Sequence, residues 1–401
     1  MFDGLLRELG DLIPEQFVAY ADDLIVIVSG NARKEIETIG QQVVNRIVGW
    51  CRTAKLELSV KKTEAILLKN EEIVRNPIGR RGGDRPDRKR RTNKKKANFE
   101  SRPPTIKIGD TRIKFKDSVR YLGVHFDRGM GVRTHCLYMK NKLELLFEKL
   151  GKLAKATWGL RHRALSTIYR GVFAPVVAYA AAGWADLCRE RDIRILKSVQ
   201  RKALIPVVGA YRTTSGESLC ATAGVTPVEI LLQESRARYE IRKGRDAKIG
   251  NAEISAIDEE AVGKIKAEGI RMWQAKWNLS TKGRTTFSFF GDISRRVGAR
   301  WIQPDRWSAQ VLTGHGDFRA RLASLGLVDG GACDCGGGDD TASHFLLECP
   351  NFEAQRVALR DFVGADNWRW PDVAPFLVST PEAFSLFADF CREALWLKGF
   401  Q

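Results

Sequence analysis

Apolar residues along this chain recur with different periods, and each period predicts a different element. QFVAYADDLIVIV, residues 16–28, is a pair of β-rich apolar runs broken by Asp22 and Asp23, which predicts a hairpin with the acidic pair at its tip. Ser29 to Asn31 offers capping chemistry, and Ile36, Ile39, Val43, Val44, Ile47, Val48 and Cys51 then repeat at helical spacing. KLELSV and TEAILL are each short enough to be strands. TIKIGDTRIKF alternates as two strands, and SVRYLGVHFD reads as a further strand and turn. Ahead of the hairpin, MFDGLLRELGDL has the pattern of a short amphipathic helix. Hairpin, helix and strand in this order predict an α/β layer with the helix lying across the sheet.

From residue 135 to 245 the period is mostly helical. LYMKNKLELLFEKLGKLA carries Leu143, Leu146, Phe147, Leu150 and Leu153 on one face, and further helix patterns cover Leu165–Trp184 and Ile193–Val207. The polar segment Lys243–Lys266 reads as a helical linker, and NFEAQRVALRDFV as a helix near the C-terminus. The fold class is therefore α+β. Expected segments are residues 1–74, a basic insert at 75–104, strands at 105–134, helices at 135–245, a linker helix region at 246–299 and a C-terminal region at 300–401.

Charge changes this picture. The chain has 401 residues and a formal net charge of +18, an excess that attracts polyanions, with nucleic acid the leading partner. The alternative, an acidic membrane surface, is not favoured: the longest apolar stretch, Val172–Ala185, is too short to span a bilayer and contains Pro175. No membrane partner is expected. Residues 75–104 are rich in Arg, Lys, Gly and Pro and nearly lack large apolar side chains, so a mobile loop is expected there. Within it Arg88, Lys89, Arg90 and Arg91, followed by Lys94, Lys95 and Lys96, suit phosphate contacts or a nuclear-import signal, or form a solvated insert.

Two constellations carry candidate chemistry. Adjacent aspartates between apolar strands repel one another unless a cation sits beside them. Magnesium meets that need, since one or two carboxylates plus substrate phosphates complete its shell, and phosphoryl-transfer enzymes use such ions in pairs. A solvated turn is the alternative for Asp22 and Asp23. Near the C-terminus Cys333, Cys335, His344 and Cys349 offer three thiolates and one imidazole, the donor set of a closed structural zinc site. Phe345, Leu346 and Leu347 are placed to begin a helix over it. Arg319, Arg321 and Arg356 are nearby and compatible with phosphate contacts, and His315 in Leu312–Gly316 is expected to cap a turn.

The stretch Phe17–Val26, with Tyr20-Ala21-Asp22-Asp23 at its centre, resembles the signature of reverse transcriptases. MFDGLLREL resembles the helix leaving the template-contacting motif, AKLELSVKKTEAILL the next conserved segment, and VRYLGVHFD the primer-grip turn. Their order, together with GAYRTTSGESLCATAG, VLTGHGDFRARL and the Cys-Cys-His-Cys pattern, is similar to non-long-terminal-repeat retrotransposon proteins of the type-1 ribosomal-DNA-inserting clade.

The resemblance implies a partial palm (hairpin, helix, strand), a mainly helical thumb and a small zinc-bearing C-terminal region. It implies that Asp22 binds metal directly, that Asp23 is its less direct acidic neighbour, and that Tyr20 packs beside the primer end. Lys62 would neutralise or protonate the departing pyrophosphate, and Tyr121, Leu122 and Gly123 would form the primer grip. The implied cofactors are Mg2+ and Zn2+. The implied partners are element RNA, target DNA, nascent cDNA and deoxynucleoside triphosphates, and the implied site of action is the nucleus after synthesis in the cytoplasm. Against the family pattern, no candidate for the earlier metal-binding aspartate or for an endonuclease domain precedes residue 16, so a fragment inactive by itself is expected. The other reading is a non-catalytic nucleic-acid-binding protein that uses only the basic loop and the zinc module.

Overall fold

The alternation of Phe17–Tyr20 (β1) and Asp23–Val26 (β2) sets the register of the first hairpin. Phe17 faces Val26, Ala19 faces Leu24 and Tyr20 faces Asp23, leaving Ala21 and Asp22 as the turn. Phe17, Leu24 and Val26 pack on a small core of Leu5 and Leu9 from Asp3–Gly10 (α1) and Val43 and Ile47 from Arg33–Thr53 (α2). The opposite face presents Val18 and Tyr20 to solvent. This is the period-2 division of a half-buried strand, matched to a helix whose apolar stripe has period 3.6.

The computed structural model describes residues 3–10, 17–68, 103–153 and 162–399. The basic run Arg88 to Lys96 lies outside the described residues. Two compact units emerge, Met1–Thr134 and His135–Gln401.

In the first unit the strands form two-stranded sheets, so the expected single layer is replaced by paired ribbons. KLELSV is not a strand: Lys55 takes φ +55, and its amide and that of Leu56 bond back to Arg52 and Cys51. Of TEAILL only Glu64–Ile66 (β3) is extended, and it pairs in parallel with Lys114–Lys116 (β6). Lys107–Ile108 (β4) and Thr111–Arg112 (β5) make a tight hairpin around Gly109, and Ser118–Tyr121 (β7) pairs with Val124–Asp127 (β8). The cap of α2 also differs from expectation. Ala32 occupies the N-cap without a side-chain bond, and the Glu35 carboxylate accepts from the Asn31 amide instead.

The second unit is mainly helical. Arg133–Leu153 (α3) buries Leu143 and Phe147. His162–Ala178 (α4) contains a π-turn at Tyr169–Phe173, where Tyr169 stacks on Phe173 at 4.8 Å. Buried Gln200 on Glu190–Val208 (α5) donates to Tyr169 Oη and to the Thr226 carbonyl, and accepts from the Val228 amide. It thereby locks α4 and α5 to Val228–Arg242 (α6). Among the described residues no single helix is long and apolar enough to cross a membrane.

The segment Lys243–Lys266 is not a continuous helical linker. Ala247–Ile249 (β9) and Ala252–Ile254 (β10) form a hairpin turned by Gly250 at φ +55, followed by Ala261–Leu279 (α7). The hairpin buries Ala247, Ile249 and Ile254 against Ala237, Ala261 and Ile265, while Lys248 and Glu253 face outward. Alternation over three residues per strand is enough once a core exists to receive it.

Candidate functional site

The two tips of the first unit share an unusual backbone. A two-residue hairpin needs positive φ at its first central residue, and glycine or asparagine normally supplies it. Here Ala21 takes φ +52 beside Asp22, and Leu122 takes φ +44 beside Gly123 at φ +85. Left-handed geometry costs an L-residue with a Cβ about 1–2 kcal/mol, and strain held at a tip is a mark of functional loops. Asp22 lies in the turn and Asp23 opens β2, both exposed, with Tyr20 across the ladder from Asp23. The Tyr121 hydroxyl is buried without a hydrogen bond. Burial raises its pKa first, and the negative charge of Asp23 raises it further. The folded first unit thus brings Tyr121 of the β7–β8 turn within electrostatic reach of Asp23. Lys62 is exposed in the turn before β3, its amide bonded to the Ser59 carbonyl.

A second site is built in the C-terminal region. Gly336 (φ +74) and Gly338 (φ +130) let the chain double back, with Cys333 N donating to the Gly338 carbonyl at 2.8 Å. Thr341 caps Ala342–Leu347 (α8) by accepting from the His344 amide, which fixes His344 one turn into the helix. Phe345 and Leu346 are buried behind it. One ligand atom each from Cys333, Cys335, His344 and Cys349 lie within 4.8 Å of one another. Cys333 Sγ is 3.8 Å from Cys349 Sγ, and Cys335 Sγ is 3.2 Å from His344 Nε2. Tetrahedral ligands with Zn–S bonds of about 2.3 Å stand roughly 3.8 Å apart, so the donor spacing and chemistry fit zinc. The Gly337 amide holds the Cys335 thiol down to about 7, whereas burial pushes Cys349 up to about 12.

Sequence reading missed the groups that support this cluster. His344 Nδ1 lies 3.3 Å from Glu348 Oε2, leaving Nε2 directed at the thiols, the outer-shell arrangement usual for metal-binding imidazoles. His-x-x-x-Glu spacing on a helix was the available signal. Lys398 pairs with buried Asp340 at 2.7 Å and lies 4.8 Å from the Phe318 ring centre, tying Pro381–Lys398 (α9) to the segment that carries the Cys–His cluster. Arg356 is only 1% exposed and bonds to the carbonyls of Phe345, Leu346 and Cys349. It cannot also reach a phosphate, which corrects its expected role. Arg319 pairs with Asp334 at 3.3 Å. At Leu312–Gly316 the turn is capped by the Thr313 hydroxyl, which accepts from the His315 amide, while His315 Nδ1 lies 2.9 Å from Thr213 Oγ1.

Comparison with known proteins gives these features a context. The family described as "Reverse transcriptase (RNA-dependent DNA polymerase)" matches residues 1–126. The chain is 41% identical over 383 residues to the "Retrovirus-related Pol polyprotein from type-1 retrotransposable element R1 4" of Nasonia vitripennis, covering 94% of this chain and 95% of the relative. A second Nasonia vitripennis polyprotein, of element R1 2, is 29% identical over 344 residues, covering 84% and 78%. The polyprotein of element R1 of Bradysia coprophila is 28% identical over 354 residues, which are 84% of this chain but 32% of that longer protein. No solved structure matches the chain at a significant level.

Proposed function

The chain belongs to the Pol polyproteins of type-1 R1 retrotransposable elements, and from that premise we propose how its residues serve RNA-directed DNA synthesis. The reaction is attack of a primer 3′-hydroxyl on a deoxynucleoside triphosphate, templated by element RNA at a nicked chromosomal target. The observation that carries the reading is the pair Asp22–Asp23, presented exposed at a strained two-residue turn, with Asp23 within electrostatic reach of Tyr121.

Reverse transcriptases generally use Mg2+. Asp22 would hold it most directly, with Asp23 beside it, and the ion supplies charge stabilisation for attacking and leaving oxygens. The adjacent, exposed carboxylates are the hard oxygen donors that magnesium prefers. The exposed Tyr20 packs beside the primer end. Tyr121, Leu122 and Gly123 place backbone close to the primer strand, since the Gly123 tip has no side chain to keep it away. Lys62 meets the negative charge of the departing pyrophosphate.

Cys333, Cys335, His344 and Cys349 would hold a structural Zn2+, because four protein donors leave no open position for a substrate. The module itself is not basic, since residues 300–401 carry nine Lys or Arg against fourteen Asp or Glu; the phosphate contacts come instead from the basic segment Arg88 to Lys96. Work at a chromosomal target places the protein in the nucleus.

The test joins residues 1–401 to the preceding segment of the longer Bradysia coprophila relative and measures RNA-templated nucleotide incorporation. Asp22→Asn should lower the rate by about a thousandfold, the equivalent of several kcal/mol of lost charge stabilisation. Incorporation at the parental rate would remove Asp22 from the chemistry.

A further inference from the structure

The described residues enclose a pocket of about 290 Å³ in the second unit, next to the Cys–His cluster but separate from its donor atoms. Its size falls just below the range of ligand sites, roughly 300–1,000 Å³, and suits one flexible unit of a chain better than a duplex. Among the residues lining it, Arg321 bears the one charge, while Thr285, Thr341 and Ser343 contribute hydroxyls and Trp370 an indole wall.

The chemistry of this lining is directional. Arg321 has no carboxylate partner among the described residues. Its Nη1 lies 3.4 Å from Ser324 Oγ, and its Nε is buried without any hydrogen bond. A buried guanidinium N–H without an acceptor is costly, and an anion at the pocket relieves it. Arg321 and Arg201 both lie close enough to His315 to act on it, although its pKa falls to about 4 chiefly through burial. The nearby carboxylate of Asp340 is already occupied by Lys398 and the Arg319 amide. On the other side Trp370 is held edge-to-face by Phe289 at 5.7 Å, so its ring has a set orientation. Cation, hydroxyls and a fixed aromatic plane are the three contacts that one nucleotide of a single strand requires.

We infer that this pocket receives one nucleotide of single-stranded nucleic acid, with Arg321 on a backbone phosphate, the Thr285 hydroxyl on a sugar or base edge, and Trp370 against the base, the Thr341 and Ser343 hydroxyls being bonded to each other. The assignment deepens the function proposed above and rests on it for the identity of the ligand. It makes the region around the Cys–His cluster a reader of unpaired strands.

The experiment uses the full 401-residue chain with short fluorescein-labelled oligo(U) and oligo(dT), read by anisotropy over a range of salt. Arg321→Gln should weaken binding about tenfold and reduce the salt slope by about 0.7, the contribution of one phosphate contact on a single strand. Trp370→Ala should weaken it by about tenfold through lost stacking, with Trp370→Phe in between. Unchanged thermal melting of Arg321→Gln establishes that the loss is not one of folding. Should Trp370→Ala fail to fold, photo-cross-linking of 4-thiouridine in the oligonucleotide to the parent chain, mapped by mass spectrometry, should mark the peptide containing Trp370. Binding of either oligonucleotide supports the pocket, and the tighter one tells whether it reads RNA or DNA. A parent chain that binds both while Arg321→Gln and Trp370→Phe leave affinity and salt slope untouched overturns the pocket alone. A parent chain that binds neither overturns the nucleic-acid role of this region as well, without touching the test on Asp22.

Discussion

Replacing Arg356 by methionine removes a guanidinium that stands where the helix α8 runs out of partners. The last carbonyls of a helix have no intrahelical donor. Here the Arg356 side chain supplies donors to Leu346 O at 2.8 Å, Phe345 O at 3.2 Å and Cys349 O at 2.7 Å, with Glu353 as counter-charge at 2.6 Å. Methionine fills much of the same volume but donates nothing, so the Phe345 and Leu346 carbonyls lose their partner and the Cys349 carbonyl keeps only the Phe352 amide at 3.3 Å. Each orphaned group costs about 1–3 kcal/mol. The sum is tempered by local rearrangement, and breaking one side of a buried charged network typically costs about 3–5 kcal/mol. Because one of those carbonyls belongs to Cys349, the loss falls on a proposed zinc ligand. Urea unfolding of the zinc-loaded chain and competition with a chromophoric chelator measure the two consequences separately. Arg356→Met should unfold at lower urea and yield its metal at a chelator activity about tenfold lower or less, equivalent to roughly 1.4 kcal/mol or more. Arg356→Lys should fall between, since one ammonium cannot span the same fork. A methionine variant with the parental urea midpoint and parental metal retention would refute the reasoning.

Three further outcomes follow from the same geometry. Elemental analysis of the purified chain should find about one zinc, and chelation should lower the melting temperature; a metal-free chain indifferent to chelator contradicts the site. Stability should fall with acid through His315: its folded pKa of about 4 lies below its ordinary value of 6.5, so the unfolded chain takes the proton first. The contribution is complete above pH ~6.5 and lost as pH drops towards ~4, and His315→Gln should flatten the melting-temperature profile in that window. An equally steep profile counts against it. Gly314→Ala should destabilise by about 1–2 kcal/mol for its backbone alone, because Gly314 has φ +67, and a Cβ there would stand 2.8 Å from Thr285 Oγ1. Pairing it with Thr285→Ala should recover the contact but not the backbone cost; full recovery in denaturant titration would show that φ is not limiting.

The elements most legible in the sequence were those whose pattern and chemistry agree locally. The hairpin around Asp22 is flanked by apolar runs, and α2 carries its stripe from Ile36 to Cys51, about four turns, so neither needs distant partners to be recognised. The Cys–His cluster was legible because ligand type and spacing are local too. What could not be read depended on distant or unpatterned partners. The parallel pairing of β3 with β6 joins residues about fifty positions apart, and nothing within TEAILL announces it. The β9–β10 hairpin hides in a charged stretch because each strand spans only three residues. Arg356 looked like surface because arginine usually is; only the exhausted carbonyls of α8 explain its burial. Trp370 and Arg321 are separated by a long stretch of chain, and the pocket between them exists only in the fold.

The central claim, that the turn at Asp22 holds the catalytic ion, is tested most directly by anomalous diffraction from a manganese-soaked complex of the fused polymerase with primer, template and an unreactive nucleotide. The account predicts a peak in direct contact with an Asp22 carboxylate oxygen and with the triphosphate. A peak bound wholly by other residues, with Asp22 turned to bulk solvent, would contradict it.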